Sequence, residues 1–486
     1  VTASPQPHLS GASDRLGEIL GSWAGRLRSP LEQLEWRLPQ PDGSPREIAP
    51  LRVALAMPPM GLAAGAGLAL SWLTGHAAVL LDLREPAAWV RRRLELSRPD
   101  VIWTVPGAAA ALSETGYEGA GEALVLDADP RRWTPSLPHR RASGDDLALV
   151  VFTSGTTGTP KPVALTRANL AACASAVASV HELGPNDVAL NALSMAHVNA
   201  PVVALLGTAA GGGDLVMLPG FTPRRFWEVA YETGATWANL VPPLIAVLSR
   251  HRQAAPGKSR LAFVRSASAP LPVAVMRSFE EMTGIPVIET YGISEAASMV
   301  TSNLRPPRER RPGWVGWPQG VELRIIAHDD STCPPDTAGQ VIVRGPAVTP
   351  GYLGDAEATA AALRDGWLRT GDIGAMDAGG CLRIIGRQSE IINKGGEKIA
   401  PRLIEELAAA VPGVLDQAAV GVPDPIHGQE IKLFVVADSA RYSAADLRQK
   451  LADELPPHFR PKEIATVGQI PRNAAGKIRR DVLISG

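Results

Sequence analysis

Between positions 53 and 81 the chain reads VALAMPPMGLAAGAGLALSWLTGHAAVLL, a run without Asp, Glu, Lys or Arg. Its length alone is that of a membrane span. Pro58 and Pro59 interrupt it near the start and glycine recurs through it, so the pattern divides. A strand over 53–57, a turn, an Ala-rich buried helix over 62–73 and a strand over 77–81 make a βαβ unit of a parallel sheet. The alternation continues downstream. DVIWTV, EALVLDA and LALVVFTS read as short apolar strands, PRRFWEVAYETG as a helix, and ATWANLVPPLIAVLSR as strand, turn and helix. Helices in this register predict parallel sheets covered by helices.

After about residue 312 the period changes. GVELRIIA, GQVIVRGPAV and GCLRIIGR are strands separated by Gly, Pro and Asp turns, which predicts an antiparallel β subdomain. A second break falls near Arg387. Beyond it come a strand (SEIINKG), a helix opened by Pro401, two strands (DQAAVGVP and EIKLFVVA) and a helix (SAADLRQKLADEL), enough for a small α+β domain. The expected organisation is therefore α/β. A large N-terminal domain of helix-covered parallel sheets with a β subdomain spans 1–386, and a small mobile α+β C-terminal domain spans 387–486. RPPRERRPG at 305–313 reads as a solvated loop.

Composition removes several classes of partner. A formal charge of -1 over 486 residues leaves no Lys/Arg excess for nucleic-acid phosphates, and 45% hydrophobic residues suit a large folded core. Cys173, Cys333 and Cys381 are far apart without CxxC spacing, so neither a disulfide framework nor a zinc site is expected, and a reducing cytoplasm fits. The opening VTASPQPHLSGASDRL lacks a basic segment followed by an apolar one, so no secretory signal and no membrane span are expected.

The chemistry concentrates where LALVVFTS breaks into TSGTTGTPKPV, residues 153–163. Backbone N–H groups in such a loop can converge on phosphate oxygens, with Gly155 and Gly158 permitting close approach and Lys161 adding a cation. The Walker pattern GxxxxGK[ST] is absent, so on the residues alone the stretch is either a phosphate cradle of another kind or a flexible turn.

Four further segments accompany it in order: YGISEAA at 291–297, GWLRTGDIG at 366–374, GRQSEIINKGGEKIAP at 386–401 and PRNAAGKIRR at 471–480. Together the five resemble the signatures of the acyl-adenylate-forming superfamily, which includes acyl-CoA synthetases, aryl-acid ligases and nonribosomal-peptide adenylation domains. The resemblance implies an ATP-dependent acid-CoA ligase: a carboxylate attacks the α-phosphate of ATP to give an acyl-AMP, and the CoA thiol then displaces AMP. It implies ATP, CoA and Mg²⁺ as partners of the reaction.

By that resemblance Thr153, Ser154, Gly155, Thr156, Thr157, Gly158 and Lys161 bind the β- and γ-phosphates. Glu295 holds Mg²⁺, a hard carboxylate for a hard cation, and Ser294 stands where the family usually has threonine. Tyr291 and Gly292 lie on one face of adenine, with Ser268, Ala269 and Pro270 on the other. Asp372 accepts the ribose hydroxyls and Arg387 contacts ribose or phosphate. Lys477 matches the catalytic lysine that offsets the repulsion between carboxylate and α-phosphate. Gly395, Gly396 and Glu397 form the face presented to the pantetheine arm once the C-terminal domain rotates about a hinge at Ser389, where Asp or Lys is usual. Pro162 replaces a usual glycine after Lys161, which predicts a weakened ATP half-reaction.

His197 resembles the histidine that lines the acid pocket. LSMAHVNAP lacks the aspartate of amino-acid-activating members, so a simple carboxylic acid is expected. INKGGEKIAP and VTSNLRPP look closest to the oxalate-CoA ligase group, but Asn199 and Ser298 stand where that group has extra histidines. Oxalate is therefore doubtful, and Ala200, Ala297 and Val300 suggest a bulkier, more apolar acid. Loading onto a carrier protein, a thiol step on a preformed acyl-AMP and noncatalytic nucleotide binding remain as alternatives at this stage.

Overall fold

The computed structural model describes residues 13–23, 25–29, 34–36, 48–119, 121–133, 137–153, 160–251, 259–472 and 476–485. The charge-free run folds as its punctuation predicts, into strand Arg52–Ala56, helix Leu62–Leu73 and strand Ala77–Leu80. Eleven of the twelve helix residues are buried. Such a helix is about 18 Å long, short of the roughly 30 Å hydrocarbon core of a bilayer. Among the described residues no helix is long and apolar enough to cross a membrane.

Two large sheets organise the N-terminal part. One runs in the order Gly351–Tyr352, Lys161–Thr166, Leu147–Thr153, Ala77–Leu80, Arg52–Ala56, Val101–Thr104 and Glu122–Val125. Its last five strands are parallel, whereas Lys161–Thr166 and Gly351–Tyr352 are antiparallel, so the sheet is mixed rather than purely parallel. The other sheet has a parallel centre formed by Asp214–Met217, Val188–Asn191, Trp237–Leu240, Phe263–Ser266 and Val287–Tyr291. Helices Leu62–Leu73 and Arg167–Val180 and the π-helix Asn199–Leu206 lie within a core that joins the two sheets. Helices Pro223–Thr233, Pro242–Leu248 and Val273–Thr283 cover the far face of the second.

The β subdomain is an antiparallel sheet of Glu322–Ile326, Gly339–Arg344, Trp367–Met376, Leu363–Arg364 and Leu382–Arg387. A separate sheet follows, containing Ile392–Lys394, Glu397–Ile399, Val414–Asp424, Gly428–Ala437 and Glu463–Thr466, with its own buried cluster against helices Pro401–Ala409 and Ala444–Glu454.

The arginine-rich segment 305–313 is the mostly exposed loop expected, with its guanidinium groups paired. Arg305 donates to the His181 carbonyl, Arg308 pairs with Glu182, Arg310 with Glu280, and Arg311 with both Glu309 and Asp377. Each guanidinium has an acceptor, and through Asp377 the segment also contacts the β subdomain.

Candidate active site

Part of the candidate set, the nucleotide-binding residues and Lys477, gathers where the C-terminal ends of the parallel strands meet the β subdomain and the last sheet, whereas Thr153, Lys161, His197, Asn199, Glu295 and Ser298 do not line that cleft. A cleft of about 530 Å³ is lined there by Ser268, Ala269, Pro270, Tyr291, Gly292, Asp372, Arg387 and Lys477, among others. Asp372, only 4% exposed, lines it from strand Trp367–Met376. The Tyr291 hydroxyl donates to one carboxylate oxygen at 2.6 Å and Arg387 Nε to the other at 3.0 Å. Asp372 and Arg387 face each other across paired strands, which sets this contact by register. Burial, and then the Asp372 charge, push the Tyr291 hydroxyl well above its ordinary pKa, so it stays a donor.

Tyr291 ends a strand, and the chain then turns tightly through Ser294–Ala296. A β-carbon on Gly292 would fall 1.3 Å from the Ser298 carbonyl oxygen, so only glycine fits. Ala297 and Ser298 follow with φ of 51° and 103°. This strained turn aims Glu295 at Tyr352, whose hydroxyl donates to Glu295 Oε1 at 3.0 Å. Lys161 Nζ lies 5.3 Å from the centre of the Tyr352 ring. Thr153 and Lys161 pair at the ends of adjacent antiparallel strands. Ser154, Gly155, Thr156, Thr157 and Gly158 lie outside the described residues. Pro162 sits buried within the strand opposite Phe152, and its carbonyl accepts from Leu353 at 2.7 Å.

Lys477 is half-buried in the same cleft, and burial followed by Arg387 lowers its pKa, against the pull of Asp372, Glu295 and Glu390. Sequence reasoning missed what holds it. Arg472 donates to the Gly476 carbonyl at 2.8 Å and to Asp416 at 2.7 Å. Arg480 binds Glu390 at 3.0 Å, Glu405 at 2.7 Å and the Ala419 carbonyl at 2.6 Å. Both arginines flank the lysine within PRNAAGKIRR, the only signal that could have marked them.

His197 has an unpartnered buried Nε2, and burial lowers its pKa to about 4, with Asp82 opposing and Arg93 and Arg84 reinforcing. Its imidazole is neutral at physiological pH. Asn199 Nδ2 donates to Ser268 Oγ at 3.3 Å, while Asn199 Oδ1 accepts from Arg265 at 3.0 Å. Arg265 and Asn239, also missed, form with Asn199 a buried polar cluster, and none of the three lines the cleft. Val300 is buried in the core of the β subdomain, and Ala200 and Ala297 belong to the core joining the two sheets.

Gly395 and Gly396 form the turn of hairpin 392–399 with φ of 58° and 92°, and Glu397 follows them; none lines the cleft. Ser389 is exposed in a 3₁₀ turn between the β subdomain and the last sheet. Beside the glycine turn, Asp424, His427 and Glu430 bring ligand atoms together, but Lys462 pairs with Asp424 and Lys394 with Glu430.

Comparison with known proteins identifies the family. Residues 49–353 match the model of the AMP-binding enzyme family, and residues 403–477 that of the AMP-binding enzyme C-terminal domain. The chain is 41% identical to a sulfoacetate–CoA ligase of Cupriavidus necator, over 82% of this chain and 80% of that one. It is 35% identical to an oxalate–CoA ligase of Arabidopsis thaliana, over 75% and 72%. ATP-bound MatB from Rhodopseudomonas palustris superposes with a TM-score of 0.83 at 26% identity, over 97% of this chain and 92% of that one. The chain belongs to the AMP-binding enzyme family.

Proposed function

We propose that this AMP-binding enzyme is an ATP-dependent acid-CoA ligase that works through an acyl-AMP. Relatives named as sulfoacetate-, oxalate- and malonate-CoA ligases support that reaction class. In the first half-reaction a carboxylate oxygen bonds to the α-phosphorus of ATP, the bond from that phosphorus to the bridging oxygen breaks, and pyrophosphate leaves. In the second, the CoA sulfur bonds to the acyl carbon, its proton is lost, and AMP leaves.

The observation that carries the residue assignments is the buried Asp372 carboxylate, held by Tyr291 and Arg387 in the cleft that also contains Lys477. In the reading drawn from it, Asp372 receives the ribose hydroxyls and adenine lies between Tyr291 and the Ser268–Pro270 segment. Lys477 stabilises the charge that builds as two anions meet, in a site whose dipoles are already oriented. His197, kept neutral by burial, lines the carboxylate's path without adding a competing charge. The hairpin from Thr153 to Lys161 binds the terminal phosphates.

Glu295 is a lone hard carboxylate beside that hairpin, and among the described residues the one cluster of potential metal ligands is the distant Asp424 group. Such a donor set fits magnesium only as an ion shared with ATP, with Glu295 as its protein ligand; when bound, it screens the phosphate charge. The C-terminal domain, taken from residue 387, rotates about Ser389 to exchange Lys477 for the Gly395–Gly396 turn, which receives the pantetheine arm.

The test is mass spectrometry of products formed from Mg-ATP, CoA and a panel of carboxylic acids. Acyl-CoA with AMP and pyrophosphate is expected; no acyl-AMP or acyl-CoA from any acid would overturn the reading.

A further inference from the structure

Helix Pro242–Leu248 turns one stripe toward the cleft, made of Pro242, Pro243, Ala246, Val247 and, just past the helix end, Arg250. The last part of the chain meets this stripe at both ends. At its start, Gly476 packs against the helix: a β-carbon built on Gly476 would lie 3.8 Å from the Val241 side chain and 3.9 Å from that of Pro243. At its finish, Arg250 Nη2 donates to the Leu415 carbonyl. Among the described residues the Arg250 guanidinium has no other hydrogen bond and no ion pair.

The Leu415 carbonyl is offered there by an irregularity in its strand. Val414 faces Ala437 and Asp416 faces Val436, so Leu415 is the extra residue of a bulge in Val414–Asp424 and has no counterpart across the ladder. Bulges re-aim the groups they carry. The next residue, Asp416, accepts from Arg472 at 2.7 Å, Arg472 donates to the Gly476 carbonyl at 2.8 Å, and Lys477 follows. Two neighbouring residues at the bulge thus meet two arginines, one from the helix that lines the cleft and one from the lysine's own segment.

We propose that Arg250 is a positioning residue for adenylation: from the large domain it holds the Leu415 carbonyl and, through the adjoining Asp416–Arg472–Gly476 chain, fixes where Lys477 stands in the cleft. This rests on the acid-CoA ligase reading above and on the rotation at Ser389. Pro242 and Arg250 are about 12 Å apart along the helix axis, so contacts at the two ends resist a rocking of the lysine's segment that a single contact would allow. When the C-terminal domain turns away for the thiol step the Leu415 contact is given up, and Arg250 has no part in that step.

The experiment separates the half-reactions in wild type, Arg250→Ala, Arg250→Lys, Asp416→Asn and the Arg250→Ala, Asp416→Asn double variant. Adenylation is read as pyrophosphate formed in a single turnover from Mg-ATP with sulfoacetate, malonate or butyrate and no CoA. The thiol step is read as AMP released from the matching synthetic acyl-AMP by CoA. Arg250→Ala should lower the maximal adenylation rate about tenfold, the loss of one hydrogen bond from a charged donor, while the ATP concentration for half-maximal rate and the thiol step each stay within about twofold. Arg250 is exposed, so the variant should fold, and Arg250→Lys, which keeps a cationic donor, should recover part of the loss. The double variant should fall less than the product of the two single losses, because both residues belong to one chain of contacts. A weakened ATP dependence with the maximal rate kept would make Arg250 a nucleotide ligand, and equal losses in both half-reactions would make it merely structural. Either result, or adenylation unchanged in Arg250→Ala, overturns the proposal and leaves the ligase reading standing. Adenylation of none of the three acids by wild type overturns both.

Discussion

Glu289 provides a pH-dependent test of how the cleft is closed. It is 4% exposed, lines the cleft, and accepts from the Gly313 amide at 2.8 Å. Burial raises its carboxyl from 4.5 to about 7, against the Gly313 hydrogen bond and the Arg402 and Arg310 charges. A carboxyl whose folded pKa exceeds its unfolded value binds more protons in the folded state. Its contribution is therefore fully present below pH 4.5 and is lost as the pH rises through 7. Each pKa unit corresponds to about 1.4 kcal/mol, so between pH 5 and pH 8 the wild type should lose about 2–3 kcal/mol through this group. Glu289→Gln keeps an acceptor for Gly313 and removes the titration. Urea unfolding of both proteins at pH 5 and pH 8 reads the difference: the variant should gain about 2–3 kcal/mol on wild type between the two. Parallel pH dependence of the two proteins would refute the reasoning, because the folded carboxyl would then titrate like an unfolded one.

Two further outcomes test the site. Lys477→Ala should lower acyl-AMP formation about 10²- to 10³-fold, the loss typical of a group that stabilises transition-state charge, while AMP affinity measured by calorimetry stays within a few-fold. Wild-type adenylation by this variant would remove Lys477 from the reaction. Gly292→Ala places a β-carbon 1.3 Å from the Ser298 carbonyl, so it should displace the Ser294–Ala296 turn. It should cost more than about 3 kcal/mol in urea unfolding, at the severe end for single substitutions, and a neutral effect would contradict the turn geometry.

How much of this was legible in the chain follows from range. The βαβ unit over 52–80 was readable because its punctuation is local: Pro58-Pro59 ends one strand and Gly75 opens the next turn. The glycine of YGISE was readable as a motif, but its reason, the Ser298 carbonyl folding back on it, is a contact that only the turn creates. Long-range pairs were not readable. Arg305 to Arg311 looked like a charge run because their partners Glu182, Glu280 and Asp377 lie far away in sequence. Arg265 carried no signal of its own in the chain, and its contacts with Asn199 and Asn239 became visible only once the strands were placed side by side. The expectation attached to Pro162 changes in the same way. The structure puts it in the strand rather than in the loop, where its fixed φ constrains the hairpin's base.

The anchoring of Lys477 bears on how one small domain could serve two steps. Arg480 joins the lysine's segment to helix Pro401–Ala409 through Glu405 and to strand Val414–Asp424 through the Ala419 carbonyl. The Gly395–Gly396 turn belongs to the same sheet as that strand, through Lys394 paired with Gly428 on Gly428–Ala437. Lysine and glycine turn are thus fixed to one body. Under the proposed rotation at Ser389, neither could reach the cleft without carrying the other away from it. The adenylating cation and the thiol-receiving turn would then be mutually exclusive by rigidity, with no separate gating element required. Loosening the body, as Arg480→Met should, would impair adenylation by misplacing Lys477 while its charge remained intact.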